Sequence, residues 1–488
     1  MDAFTAWLDK IDGAVWGVPM MVLIMGLGLL LSFRMGFLQF RKLGKALKYM
    51  VHNEEGGEGE VSSFGALTTA LAATVGTGNI VGVATAIMVG GPGALFWMLI
   101  AACLGMATKY AEGLLAVKYR VLDENNHALG GPFYYIENGM GKNWKWLAKL
   151  FAFFGAAAGA LGIGTITQVN SINGACNALF DSEAKHIAFS IGNMNYTWTT
   201  VICAVIVTVA AALVIIGGIQ RISSVASKVV PAMMVLYVVV ALAIVLFNIT
   251  KIPGAIVTVV QGAFGVKAAA GGALGAMMLA MQKGVARGIF SNEAGLGSAP
   301  IAAAAAQTNE PVRQGLVTMT GTFLDTIVIC TMTGLSIILT GANEQGLEGV
   351  NVTIYAFGQG LPWGQTAGAI VLTLCLSLFA FTTILGWDYY SERCLEYLTN
   401  KNMTAVKVYR WIYIAAVLIG PFLTLSFVWT LADIFNGLMA FPNLIAILAL
   451  NGVVVKETRD YFRRLDAGEV DEGLLSFKAK REAAQKDA

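Results

Sequence analysis

Two short polar stretches lie inside otherwise apolar segments of the chain. The first, residues 74–79, has the sequence TVGTGN. Two glycines flanking a threonine weaken an α-helix and leave backbone N–H and C=O groups without helical partners. The N–H groups that begin a half-helix lie at the positive end of its dipole, and the C=O groups that end one lie at the negative end. Such an interruption can therefore bind a carboxylate and a cation at one place.

We assign these two kinds of backbone group to two ligands. The amides of Gly76, Thr77 and Gly78 are predicted to bind a substrate carboxylate. The carbonyls of residues 73–75 are free to coordinate sodium, together with the amide oxygen of Asn79. The first stretch thus predicts an anion site and a cation site side by side.

The second stretch, residues 290–297, has the sequence FSNEAGLG. Ser291 can add a hydroxyl ligand. An acidic residue inside an apolar segment needs a polar or charged partner. Glu293 has two possible roles that the sequence does not separate. It either hydrogen-bonds loose amides and holds the two interrupted helices together, or it contacts a substrate ammonium or an ion directly.

A third group of candidates lies near residue 385. Adjacent threonines in an apolar helix usually hydrogen-bond to the preceding turn. Thr383 and Trp387, however, are four residues apart and share a helix face, so a hydroxyl and a large aromatic ring point to the same place. This spacing predicts an ion ligand beside the wall of a pocket.

Further polar residues in apolar segments give weaker signals. Lys109 and Glu112 are three residues apart, and we interpret them as a structural ion pair. Gln168, Asp325 and Asn436 are each candidates for a site or a gate.

The elements that position these residues are membrane helices. The chain has 488 residues, of which 57% are hydrophobic and 13% charged, so it carries more apolar surface than a water-soluble fold of this length could bury. Apolar runs long enough to cross a bilayer recur throughout. We predict eleven spans, near residues 14–35, 62–90, 93–117, 147–176, 197–217, 229–248, 268–306, 314–340, 366–397, 408–426 and 429–454.

The placement of Lys and Arg orients the chain. With the N-terminus outside, 25 of the 32 basic residues fall on the cytoplasmic side and only Lys10, Lys185, Lys251 and Lys267 fall outside. No small-residue cleavage site follows a basic head, so we expect the first span to be retained. Short loops and the absence of a targeting segment favour the bacterial cytoplasmic (inner) membrane, with the C-terminus in the cytoplasm.

The two polar stretches occupy corresponding positions in the predicted order of spans. With the first span set aside as a leader, they fall in the first and the sixth of ten remaining spans. This pairing is typical of transporters built from inverted repeats, whose substrate lies between two discontinuous helices. Close packing of glycines is the alternative explanation. The predicted division is 1–55, with the leader; 56–265, the first repeat, broken at 74–79; 266–455, the second repeat, broken at 290–297; and 456–488, a charged cytoplasmic tail.

Composition and motifs exclude several classes of protein. The six cysteines are scattered without a C-x-x-C pair, so neither disulfides nor a metal centre is expected. The net charge of +2 does not indicate nucleic-acid binding. His52, His127 and His186 all fall in loops, which favours sodium over protons as the coupling ion. No nucleophile and base motif, metal-binding H-E-x-x-H or phosphate loop is present, so we expect no enzyme activity and no cofactor.

Three longer motifs resemble the sodium:alanine (alanine or glycine:cation) symporter family. They are VGTGNI at 75–80, GGPGALFWM at 90–98 and GIFSNEAGLGS at 288–298, and FLDT at 323–326 also fits. The likeness extends from about residue 14 to residue 455. It implies an all-α membrane fold like that of the bacterial leucine transporter, with one leader span and a five-plus-five core.

The resemblance also implies roles for individual residues. Thr382 and Thr383, with carbonyls around Ala72 and Val75, would form a sodium site, and Thr74, Asn79 and Ser291 a second one. Phe290 and Trp387 would wall the substrate pocket, with Gln168 facing it. Where the leucine transporter has a smaller aliphatic residue this chain has Trp387, which implies a small substrate such as alanine or glycine.

The sequence therefore predicts sodium-coupled symport of a small neutral amino acid into the cell by alternating access. Its expected partners are the amino acid, sodium and the lipid bilayer, and we expect a monomer or weak oligomer. A proton-coupled or exchange-type transporter of the same fold is the first alternative. A channel or receptor is the second, but it would leave the paired interruptions unexplained.

Overall fold

The structure is a computed structural model that describes residues 2–52, 57–122, 128–191, 194–266 and 272–470. Its first half contains these α-helices: α1 Asp2–Val15, α2 Val18–Arg34, α3 Leu38–Arg41, α4 Leu43–Val51, α5 Ser63–Thr74, α6 Val81–Gly90, α7 Gly93–Lys118, α8 Pro132–Tyr135, α9 Lys145–Leu161, α10 Ile166–Phe180, α11 Trp198–Ile215, α12 Gly218–Phe247 and α13 Ile252–Ala263. Two short antiparallel hairpins lie between helices: β1 Val121–Leu122 with β2 Ala128–Leu129, and β3 Ile187–Ile191 with β4 Met194–Thr197.

The second half consists of the following α-helices: α14 Ala273–Asn292, α15 Ala299–Ala303, α16 Pro311–Thr322, α17 Thr331–Leu339, α18 Val350–Gly360, α19 Gly364–Leu398, α20 Met403–Ile419 and α21 Leu425–Asp466. Two segments are π-helical: Phe323–Cys330 joins α16 directly to α17, and Ile136–Met140 continues α8 as far as Gly141. Short 3₁₀ turns lie at Thr77–Asn79, Lys142–Trp144, Ile249–Lys251, Ala342–Glu344 and Gly420–Phe422.

Long apolar helices dominate this architecture and confirm the predicted all-α membrane fold. Within the described residues, nine segments are long and apolar enough to cross a bilayer: Ala6–Arg34, Gly93–Lys118, Lys142–Phe180, Trp198–Ile215, Gln220–Phe247, Pro311–Leu339, Gly364–Leu398, Met403–Phe422 and Ser426–Asp466. The two predicted broken spans lie outside this set because their halves are short or polar. The count of eleven spans therefore stays a prediction.

Both predicted interruptions are present. Helix α5 ends at Thr74 and α6 begins at Val81, so the first break matches the TVGTGN stretch. The second break begins three residues later than predicted, because Phe290 and Ser291 still belong to α14, which ends at Asn292. Glu293 then takes a left-handed conformation with φ of 57°, and α15 begins at Ala299.

A third interruption was not predicted. Residues 147–176 are one continuous span in the prediction from sequence, but α9 ends at Leu161 and α10 begins at Ile166. Gly164 lies in this gap. A Cβ on Gly164 would lie 2.7 Å from the Trp387 Cβ, so only glycine allows this approach to α19.

The broken helices pack at the centre of the molecule. Helix α7 packs along α14 and α16, while α5 packs against α12 and α19. Close backbone contact at Gly386, where a Cβ would lie 2.6 Å from the Ala73 N, brings α19 against the end of α5. This contact places the Thr382 to Trp387 region beside the first break.

The loops predicted to be cytoplasmic meet on one face of the molecule. Side-chain contacts join residues that are far apart in sequence: Lys118 with Glu457 at 2.8 Å, Arg464 with Glu310 at 2.8 Å, Arg393 with Glu60 at 3.9 Å, and Tyr397 with Glu137 at 2.5 Å. This grouping agrees with the order of sides that the basic residues predicted. The domain boundaries stay predictions. Residues 267–271, directly after the 265/266 boundary, and the tail beyond residue 470 lie outside the described residues.

Candidate functional site

All of the predicted site residues are buried in the structure. In the first break, the Gly76 N–H donates to the Asn79 side-chain oxygen at 2.9 Å. The Thr77 N–H donates to the Gln168 side-chain oxygen at 3.2 Å. Two amides that we assigned to a substrate carboxylate are thus bonded to neutral amide oxygens, which carry the same kind of acceptor atom without the charge. Their role in binding substrate stays a prediction.

Gln168 links two interruptions. Its side-chain oxygen accepts from Thr77, and its Nε2 donates to the Ile163 carbonyl at 2.8 Å, within the gap between α9 and α10. The gap exposes that carbonyl, because a continuous helix would have used it internally. Gln168 therefore faces the first break, as the resemblance implied.

The two threonines of α19 have different surroundings. The Thr383 hydroxyl lies 3.3 Å from the Val75 carbonyl oxygen and 3.1 Å from that of Phe379. The Thr382 hydroxyl donates to the Phe379 carbonyl at 3.0 Å and lies 3.5 Å from the Met233 sulfur on α12. Thr383 thus faces the end of α5, where its hydroxyl and the Val75 carbonyl offer the oxygen ligands that a small hard cation prefers.

Two further predicted sodium ligands, Ala72 and Thr74, lie in the last turn of α5. Ala72 is buried in the last turn of α5, close to the α19 contact at Gly386. The Thr74 hydroxyl donates to the Ala70 carbonyl at 2.7 Å and lies 3.4 Å from a Glu293 oxygen. Thr74 therefore connects the two breaks through its side chain.

Asp325 is the centre of a second polar cluster. It lies in the π-helical segment Phe323–Cys330, and its carboxylate accepts from the Asn79 amide at 2.6 Å and the Ser291 hydroxyl at 2.9 Å. The neighbouring Thr326 hydroxyl also donates to it, at 2.7 Å. Asp325, predicted from sequence as a possible site or gate residue, thus joins the first break to α14, the helix before the second break.

Glu293 binds groups from three different elements. One oxygen accepts from the Trp387 indole N–H at 2.7 Å, and the other accepts from the Ser298 hydroxyl at 2.7 Å and lies near Thr74. The carboxylate therefore spans its own break and connects it with α5 and α19. This arrangement agrees with the first of the two roles considered for Glu293, which stays a prediction.

Glu112 holds the loop of the second break. Its Oε1 accepts from the amides of Gly295 and Gly297, each at 3.1 Å, and from the Asn443 side chain at 2.7 Å. Both glycines have positive φ angles, 88° and 82°, which other residues rarely adopt. The carboxylate thus supplies the acceptor that two non-helical amides need.

The predicted ion pair between Lys109 and Glu112 is wrong. Within the described part of the chain, the Lys109 ammonium and the second Glu112 oxygen are buried and have no hydrogen-bond partner. Glu112 instead directs its Oε1 toward the Gly295 and Gly297 amides of the second break.

An ion pair covers the site on the side from which α14 enters. Arg287, one turn before Phe290, donates to both carboxylate oxygens of Asp433, at 2.8 and 2.6 Å. Its guanidinium lies 4.7 Å from the Trp429 ring centre, and the Phe290 and Trp429 rings lie 4.8 Å apart. Arg287 and Trp429 were not among the sequence candidates. The intramembrane arginine itself was the available signal.

Comparison with known proteins identifies the class of this protein. The sequence pattern of the sodium:alanine symporter family matches residues 1–473. The chain belongs to this family, whose members are transporters, and it is a multi-pass membrane protein and not an enzyme.

Individual relatives cover almost all of the chain. An uncharacterized transporter of Haemophilus influenzae is 55% identical over 95% of this chain and 98% of its own length. The sodium/alanine symporter AgcS of Methanococcus maripaludis is 44% identical over 94% of this chain and 97% of its own length. A crystal structure of MhsT in complex with L-phenylalanine matches 83% of this chain and 100% of its own, with 15% identity and a TM-score of 0.48.

Proposed function

We propose that this protein is a secondary active transporter that carries a small neutral amino acid, alanine or glycine, into the cell together with sodium. The observation that carries the proposal is the first break, where freed amides and the Val75 carbonyl adjoin Gln168 and Thr383. An amino acid needs donors for its carboxylate, and sodium needs oxygen ligands. This small region offers both kinds of group.

Two aromatic side chains support a small substrate. Phe290 is 2% exposed and Trp387 is fully buried, and each lies beside a break. A Cβ on Gly78 would lie 3.2 Å from the Phe290 ring, so the backbone and the ring already approach closely. Such close packing around the first break favours the methyl group of alanine, or glycine, over a long side chain.

The transport cycle follows from the interruptions. Sodium binding at Val75 and Thr383 orders the end of α5, and the substrate completes the site at the Gly76 to Gly78 amides. Helices α5, α7, α14 and α16 then tilt against α10 and α19, which opens the site to the other side. Inward sodium flow drives accumulation of the amino acid.

We place the protein in a bacterial cytoplasmic membrane with its N-terminus outside. The grouping of loops on one face supports this topology, because those loops carry most of the Lys and Arg residues. Labelling with a membrane-impermeant maleimide tests it, in a variant whose six native cysteines are replaced and which carries one introduced cysteine, either in the β3 and β4 hairpin or in the loop after α19. The proposal requires the hairpin to react from outside and the loop to stay protected.

Uptake of labelled alanine into proteoliposomes tests the function. The proposal requires accumulation above the external concentration with an inward sodium gradient and none when potassium replaces sodium. Matched samples with glycine, serine and leucine define the selectivity. Alanine that merely equilibrates, with or without sodium, would contradict symport.

Proton coupling is a second candidate, and the buried Asp325 carboxylate between the two breaks is the observation that favours it. A carboxylate in such a position could carry a proton through the cycle. An imposed proton gradient without sodium separates the candidates. Accumulation of alanine under that condition would favour proton coupling over sodium coupling.

A further inference from the structure

A short backbone ladder joins the two broken helices on the face predicted to be cytoplasmic. The amides of Glu60 and Val61 both donate to the Ala305 carbonyl, at 2.9 and 3.1 Å. In the other direction, the Gln307 amide donates to the Val61 carbonyl at 2.7 Å. The Thr308 amide donates to the Glu58 carbonyl at 3.1 Å, so residues 58–61 and 305–308 are paired along their length.

These two segments are continuous with the moving parts of the site. Residues 58–61 lead into α5, which ends at the first break, and residues 305–308 follow α15, which starts after the second. The ladder therefore connects α5, the half-helix before the first break, to α15, the half-helix after the second break. The same connection runs through the site by way of Thr74 and Glu293.

Arg120 encloses the ladder from the end of α7. Its guanidinium donates to four carbonyls: Ala304 at 2.8 Å, Ala306 at 2.7 Å, Glu58 at 2.7 Å and Thr308 at 2.8 Å. A planar guanidinium presents several donors in a fixed fork, which a lysine ammonium does not reproduce. Arg120 thus contacts both strands of the ladder at once.

The backbone around Arg120 is built for this close approach. Gly59 has φ of 141°, and a Cβ there would lie 2.4 Å from the Ala306 carbonyl oxygen. A Cβ on Gly57 would lie 2.7 Å from the Thr308 backbone. The glycines allow the two strands to meet at a distance that larger residues would prevent.

We propose that Arg120 is a positioning residue that holds α5 and α15 together as one moving body during transport. The inference rests on the proposed transport function, because it concerns the step in which the site opens to the ladder side. In this proposal, α5 does not swing away from α15. The separation instead takes place between the ladder and α19, where Arg393 and Glu60 lie 3.9 Å apart.

Reversible cross-linking tests this assignment in the full-length protein. One variant carries Glu58→Cys and Gln307→Cys, one on each strand of the ladder and both exposed. The other carries Glu60→Cys and Arg393→Cys, which lie across the proposed plane of separation. Each pair is introduced into a variant whose six native cysteines are replaced, and the variants with one introduced cysteine are the controls. Each is treated with a short, reducible dithiol cross-linker, and sodium-driven alanine uptake is measured before and after reduction.

The two cross-links have opposite expected effects. Linking residues 58 and 307 leaves uptake within about twofold of the unlinked protein, because the two strands move together. Linking residues 60 and 393 abolishes uptake, and reduction restores it. Loss of uptake in the first variant, or full uptake in the second, would overturn the proposal.

Arg120 itself is tested by loss and rescue. Arg120→Ala and Arg120→Lys are expected to lower kcat for uptake about tenfold, with KM for alanine within twofold of the parent. Arg120 holds the two strands of the ladder together, so it acts on helix movement and not on substrate binding. Adding the 58 to 307 cross-link to Arg120→Ala should raise kcat again. If the cross-link does not raise kcat in a correctly folded Arg120→Ala variant, the positioning role of Arg120 is contradicted. A parent protein without sodium-dependent uptake would instead refute the proposed function. The Arg120 proposal would then be decided by whether each cross-link changes the access of a thiol reagent to the site.

Discussion

The two breaks are stabilised by different chemistry. In the first, backbone amides are bonded to the neutral side-chain oxygens of Asn79 and Gln168. In the second, Glu112 and Glu293 supply carboxylates to two backbone amides, an indole and a hydroxyl. A neutral acceptor is readily replaced by a charged substrate carboxylate, whereas a buried carboxylate is costly to leave unpaired. The first break is therefore suited to exchange partners, and the second is suited to keep them.

The largest effect is expected at Glu112. Replacement by leucine leaves the Gly295 and Gly297 amides buried without an acceptor, at a cost of about 1–3 kcal/mol each. Glu112→Leu should abolish alanine uptake and lower the thermal unfolding temperature of the purified protein. Glu112→Gln retains an oxygen acceptor and serves as the matched control. Equal stability of the leucine variant and the parent would show that Glu112 does not hold the second break.

The next largest effect concerns sodium. Thr383 faces the Val75 carbonyl, whereas Thr382 contacts Met233, so Thr383→Ala should affect sodium binding more than Thr382→Ala. Loss of one ligand worth about 1.4 kcal/mol raises the sodium concentration for half-maximal uptake roughly tenfold. Sodium titration of uptake in both variants checks this order. Unchanged sodium dependence in Thr383→Ala would refute its assignment to the ion site.

A change in selectivity is expected at Trp387. Trp387→Ala removes a buried ring and should admit larger side chains, which competition of labelled alanine uptake by leucine and phenylalanine measures. Trp387→Phe separates volume from hydrogen bonding, because it retains an aromatic ring but loses the donor to Glu293. If Glu293 holds the break through the indole, Trp387→Phe should lower uptake severalfold without widening selectivity. Wider selectivity in the phenylalanine variant alone would contradict this division of roles.

The smallest effect is expected at Gln168. Gln168→Ala frees the Thr77 amide, so KM for alanine should change by a few fold while the unfolding temperature stays close to that of the parent. Gln168→Glu places a negative charge beside the same amide and should weaken alanine binding more strongly. Substrate titrations of both variants measure the difference. A large loss of stability in Gln168→Ala would show that the first break is as rigid as the second.

Much of the fold was predictable because bilayer crossing imposes a simple requirement on composition and length. The TVGTGN and FSNEAGLG stretches marked the breaks since glycine and polar residues are unfavourable in membrane helices. The interruption at Gly162 to Thr165 was missed. Its residues are apolar or small, and the reason for the break is the approach of Gly164 to Trp387, which only the folded structure brings together.

The candidate site shows the same limit. Thr383, Trp387 and Gln168 were named as candidates because their side chains are unusual at membrane depth or share a helix face. The partners of Glu112 could not be found this way. Its acceptor role depends on amides 183 and 185 residues away, while Lys109 was only three residues away and seemed the obvious partner by sequence alone. Long-range pairing of this kind depends on how the helices pack.

Coupling of the two solutes is the central claim, and sodium entry driven by alanine tests it most directly. Proteoliposomes containing the purified protein receive equal labelled sodium on both sides and an inward gradient of alanine alone. The account predicts transient accumulation of labelled sodium inside the vesicles. The Thr383→Ala variant should accumulate less sodium, and an alanine gradient should not drive accumulation of labelled potassium in place of sodium. Sodium that stays at its equilibrium level while alanine enters would contradict sodium-coupled symport.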